Sequence, residues 1–134
     1  MLAPIKFLKI YDLKNNKQYI KDVQKVTLDT DDFGVKIKNG LFGSREWWSA
    51  VKNGNMRKYI LEGVITKTFM SGHNDFPEFE VFDGKHKTIL PRFGNDKYYI
   101  KGKRIKIIYI KQDLKKLIKG LDKTKEILEI YIQK

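Results

Sequence analysis

The chain has 134 residues, 41% hydrophobic and 13% aromatic, enough apolar surface for one folded domain over residues 1–134 and too much for a chain kept disordered by charge. It has no cysteine, which excludes disulfides, thiolate metal sites and cysteine nucleophiles and fits a reducing compartment; the expected location is a bacterial cytoplasm. A formal net charge of +12 points to nucleic acid, acidic proteins or anionic lipid as partners, yet all but four of the 28 basic residues are lysine, as an A/T-rich genome encodes in any protein.

Lys6 and Lys9 interrupt the apolar residues between Met1 and Tyr11, so this segment is not read as a signal peptide, and no stretch has the length of a membrane-spanning helix. Ile5, Phe7, Leu8 and Ile10 predict a first strand over Pro4–Tyr11, closed by the turn-like Lys14-Asn15-Asn16-Lys17. Val26 and Leu28 alternate with Lys25 and Thr27, and Val35 and Ile37 with Lys36 and Lys38, which predicts a hairpin ending at Asn39-Gly40. Ser44 to Gly54 reads as a short helix, residues 44–53, with Ser44 as cap, Glu46 at the positive end and Gly54 as stop. Trp47 and Val51 share a face and are expected to pack on the sheet, while Trp48 points away.

Tyr59 to Met70 is a long β-rich run in which Gly63 marks a bulge or the close approach of another backbone. After the polar loop Ser71–Asp75, Asp83-Gly84 predicts a two-residue hairpin turn. Counting from that turn pairs Phe82 with Lys85, Val81 with His86, Glu80 with Lys87 and Phe79 with Thr88, giving a Glu80–Lys87 ion pair and a core-side His86. Arg92 to Lys97 is a second loop, and Ile100 to Lys103 turns into a central strand, Arg104–Lys111, with Ile105, Ile107 and Tyr109 on one face. Near the end, Leu114, Leu117, Ile118 and Leu121 recur at helical spacing, whereas Leu128, Ile130 and Ile132 alternate like a strand. The expectation is a loop or helical turn near Leu114–Lys119 and a last strand from about Lys125 to Ile132.

These elements predict a mainly β fold: a small barrel or strongly curved antiparallel sheet of about seven or eight strands, with the 44–53 helix capping an end. Its helix follows the third predicted strand, as in the five-stranded oligonucleotide-binding barrel, where a helix often sits between strands three and four. Residues 62–109, with Gly63-Val64-Ile65, Phe76-Pro77-Glu78-Phe79-Glu80-Val81, Tyr99-Ile100-Lys101-Gly102-Lys103-Arg104-Ile105 and Tyr109, resemble small bacterial β-barrel domains of unknown function. The resemblance implies a compact barrel and transfers no functional residues.

Three functional classes follow. The first is a non-enzymatic binding or accessory module, for which Trp48 and Phe42 are candidate partner anchors because aromatic residues dominate binding hot spots; the competing view has both tryptophans plugging one end of the barrel. The second is a binder of single-stranded DNA or RNA, in which Lys101, Lys103, Arg104 and Lys106 attract the backbone and Tyr98, Tyr99 and Tyr109 stack on bases. Solvated lysines and tyrosines are also ordinary on an outer strand face. The third is a weak hydrolase or metal protein built on His73 with Asp75 and Glu78, although their spacing matches no ligand motif. No cofactor is implied. The Lys115-Lys116-Leu117-Ile118-Lys119 run also reads as a basic turn for an anionic membrane, too short to bind strongly by itself.

Overall fold

The computed structural model describes residues 4–118 and 120–134, so Met1–Ala3 and Lys119 of the expectations above lie outside the described residues. The fold is mainly β, on a curved antiparallel sheet of six strands with two short helices. In chain order the elements are β1 (Phe7–Asp12), α1 (Lys17–Asp29), α2 (Arg45–Lys52), β2 (Lys58–Ser71), β3 (Phe76–Phe82), β4 (Lys87–Pro91), β5 (Arg104–Ile118) and β6 (Leu121–Gln133). The strands are arranged β1-β6-β5-β2-β3-β4, so β5 is central, as its apolar content predicts. Two compact units form: residues up to Asp12 with Ile60–Ile107 and Glu129–Lys134, and Leu13–Tyr59 with Ile108–Leu128.

In the first unit, Ile65, Phe79, Val81, Ile105, Ile107 and Ile130 are fully buried. Gly63 holds β2 against β3, because a Cβ there would stand 2.3 Å from the Phe82 carbonyl oxygen. The β3–β4 hairpin corrects the expected register: Phe82 pairs with Lys87, Val81 with Thr88, Glu80 with Ile89 and Phe79 with Leu90. Gly84 and Lys85 are the central turn residues, with the Asp83 N–H donating to the His86 carbonyl at 3.1 Å. Asp83 Oδ1 accepts from the N–H groups of Lys85 and His86, both at 2.8 Å, and these bonds hold its carboxyl below the usual range. Moving the turn one residue along shifts every pairing by two positions. Inward faces survive that shift and cross-strand partners do not. Glu80 therefore has Thr66 Oγ1 at 2.8 Å and Lys67 at 3.7 Å in place of an ion pair with Lys87, and His86, which closes the turn before β4 begins, is exposed instead of core-facing.

In the second unit the expected hairpin over residues 25–38 is a helix followed by a loop. Asn16 caps α1 by accepting from the Tyr19 N–H at 3.3 Å, and Tyr19, Ile20, Val23 and Thr27 form the inward stripe. Val26 and Leu28, the residues that mimic a strand, are left 42% and 63% exposed, so the apolar alternation does not mark buried positions. Only Val35 makes a bridge, to Leu114. This change removes strands and adds a helix, giving six strands among the described residues where about seven or eight were expected. It also places the Trp-Trp helix after the first strand, so the strand-order analogy with the oligonucleotide-binding barrel does not hold.

α2 forms as predicted: Ser44 accepts from the Trp47 N–H at 3.3 Å, Asn53 ends the helix, and Trp47, Ala50 and Val51 are buried while Trp48 is half-buried. The expected turn at Leu114–Lys119 is instead strand as far as Ile118, and β6 begins at Leu121. Lys115 Nζ donates to the carbonyls of Thr27 and Thr30 and Lys116 pairs with Asp32 at 2.7 Å, so these two lysines of the proposed membrane turn are engaged within the fold.

Candidate partner-binding surface

Alternation along β5 sets the surface of the second unit. Ile110 and Gln112 are buried, and the Gln112 Oε1 accepts from Trp47 Nε1 at 3.0 Å. Tyr109, Lys111 and Asp113 therefore face the other way. This corrects the expectation that Tyr109 continues the face of Ile105 and Ile107: the buried positions change from odd to even numbers between Ile107 and Ile110.

On that outer side the Tyr59 and Tyr109 rings stack at 5.4 Å between centroids, 18° from parallel. Lys111 Nζ lies 4.7 Å and the Arg57 guanidinium 4.9 Å from the Tyr59 centroid, and Lys125 Nζ is 5.6 Å from that of Tyr109. Each such contact is worth about 0.5–1 kcal/mol at an exposed site. All three cations are exposed, and among the described residues none has a carboxylate within ion-pair distance. Beside them Lys38 and Lys123 share Asp113, the latter at 2.6 Å, and their hydrogen bonds hold the Asp113 carboxyl down to about 2.

The first unit has a similar cluster with a different charge balance. Lys106 lies over Phe7 at 5.1 Å and Tyr131 at 5.4 Å, and Lys9 over Tyr131 at 5.9 Å. Here Lys9 is paired with Asp12 at 2.9 Å and Glu129 at 3.4 Å, and the Tyr131 hydroxyl donates to Glu129. Its carboxylates are built in.

The residues expected to bind nucleic acid are dispersed in character. Lys101 is exposed; Lys103, Arg104, Lys106 and Tyr98 are half-buried; Tyr98 has Lys97 over its ring at 5.2 Å. Tyr99 is corrected to a core residue: it is 5% exposed, packs on Phe79 at 5.0 Å, and donates its hydroxyl to the Phe93 carbonyl. Burial raises its pKa well above the usual tyrosine value. Phe42, at 1% exposure, packs edge-on against Trp47 at 4.7 Å and is likewise a core residue, not an anchor. Trp48 keeps part of its ring accessible under Lys14, 5.3 Å from its centroid. His73 and Asp75 are exposed in the β2–β3 turn, while Glu78 lines a cleft of about 360 Å³ with Phe76, Pro91, Arg92 and Phe93. Among the described residues no three His, Cys, Asp or Glu side chains are grouped to hold a metal.

A family model described as immunity protein RhsI2 matches residues 7–133. The chain belongs to the RhsI2 immunity protein family. A search of curated proteins finds no match. RhsI2 membership refines the resemblance of residues 62–109 to small β domains, since the match also takes in β1, both helices and β6. It fits an accessory binding module with a protein partner. Arg57, Tyr59, Lys123 and Lys125 are the residues sequence reasoning passes over. The signal for them is the spacing of two in Arg57/Tyr59 and Lys123/Lys125, which gains meaning only once the strands carrying them are aligned.

Proposed function

We propose that this chain protects a bacterial cell by binding a cognate toxin domain one-to-one and covering a surface that the toxin needs. The observation that carries the reading is the RhsI2 immunity match over residues 7–133. Exposed cations around half-buried tyrosines support it, because tyrosine and arginine are enriched where protein interfaces are tightest. The protein acts by occupancy and not by turnover, and does so in the cytoplasm, which its lack of cysteine fits.

Co-expression with the toxin domain encoded beside this chain tests the reading. Growth is expected to be restored by the chain, with both proteins co-eluting as an equimolar complex. Continued killing at matched expression, without a complex, would remove the reading.

A further inference from the structure

The geometry points to the face formed by Arg57, Tyr59, Tyr109, Lys111 and Lys125 as the surface that receives a carboxylate-rich patch of the toxin. The inference rests on the toxin-binding reading and goes beyond it, since family membership assigns no surface.

Three observations carry it. First, the cations are positioned in advance: Lys111 and Arg57 lie within 5 Å of the Tyr59 centroid and Lys125 lies 5.6 Å from that of Tyr109. Part of the ordering cost of binding is thereby met before the partner arrives. β5, which carries Lys111 and Tyr109, is fixed from behind by the buried Ile110 and the Trp47–Gln112 hydrogen bond. Second, the cations lack acidic partners. In the first unit Lys9 has Asp12 and Glu129 at hand, whereas among the described residues Arg57, Lys111 and Lys125 have no such pair. In a chain of net charge +12, a local excess of unpaired cations calls for carboxylates supplied from outside and speeds their approach. Third, the tyrosine rings face each other at 5.4 Å and carry the three cations, so they do not form an open platform for stacking bases. A protein surface presenting Asp and Glu fits this arrangement better than a nucleic acid. Arg57 offers a planar fork for one carboxylate, and the lysines offer point charges.

The test is the affinity of the cognate toxin domain, inactivated for handling, for the wild-type chain and for the triple variant Arg57→Glu/Lys111→Glu/Lys125→Glu. The expected result is a loss of about 100-fold or more, with a flatter salt dependence, at an unchanged circular dichroism spectrum and with the melting temperature lowered only by the few degrees that the lost ring contacts account for. Should the reversed variant fold poorly, the neutral Arg57→Gln/Lys111→Gln/Lys125→Gln variant is expected to lose about 10-fold. Wild-type toxin affinity in a folded variant overturns the inference and leaves the immunity reading standing. Absence of toxin binding by the wild-type chain overturns both. If wild-type chain binds single-stranded oligo-dT, and the triple variant loses that binding while keeping its toxin affinity, the face belongs to nucleic acid and the inference is wrong.

Discussion

Glu126 lies 5% exposed within the second unit, with the Tyr19 hydroxyl donating to its Oε2 at 2.7 Å. Burial raises its carboxyl to about 7, and the Tyr19 bond offsets only part of that shift. The unfolded chain releases this proton near 4.5, the folded chain near 7, so between those values the unfolded state binds fewer protons. The stability contribution of Glu126 therefore falls as pH rises through that window and is flat above it. Glu126→Gln keeps a neutral acceptor for Tyr19, and urea titrations from pH 5 to pH 8 are expected to show it gaining on wild type by on the order of 3 kcal/mol. A gap independent of pH would show that Glu126 does not hold its proton into the neutral range. Asp113 has the opposite sign: its carboxyl, lowered to about 2 by Lys123 and Lys38, adds stability above the ordinary aspartate range that is lost as pH falls through about 2.

Among the elements, α2 was legible because its signals are local. Ser44, Glu46 and Gly54 mark its two ends without reference to any other part of the chain. Ser44→Ala is expected to cost about 1 kcal/mol in denaturant unfolding, since the Trp47 N–H loses its acceptor. α1 is not legible in the sequence, because Lys25 to Leu28 satisfies a period of two over too few residues to exclude a period of 3.6. Tyr19, Ile20, Val23 and Thr27 are the stripe that decides the matter, and they become decisive only with Glu126 opposite Tyr19 and Val35 bonded to Thr27 at 3.3 Å. The sequence specifies the stretch of the hairpin turn but not its central pair, Gly84-Lys85, because a glycine suits either central position. Of the two expectations for Gly63, a bulge or a close approach, the structure shows the close approach. Gly63→Ala should be destabilising by about 2 kcal/mol or more, as its methyl group must separate β2 from β3 at Phe82. A stability change below about 0.5 kcal/mol in urea would mean the strands part freely there.

For the molecule as a whole, net charge and charge placement make separable predictions. Lys85, Lys97 and Lys101 are exposed lysines of the first unit, and reversing them to glutamate alters net charge as much as reversing Arg57, Lys111 and Lys125. Surface plasmon resonance with the cognate toxin domain should show a slower association for this control, within ~3-fold, and an unchanged dissociation rate. Equal losses in the two variants would assign the binding to overall charge instead of one face. The sequence by itself determined that the chain folds, that it is mainly β, that a capped helix follows residue 43 and that its charge is strongly positive. Those properties depend on composition and on signals a few residues long. Tertiary structure alone decided that Tyr99 and Phe42 are core, that Tyr109 faces outward beside Tyr59, and which cations lack carboxylates. A side chain's exposure and its charged neighbours depend on which strands lie side by side and in what register, and the contacts of Tyr59 with Tyr109 and Lys111 join residues far apart in the chain.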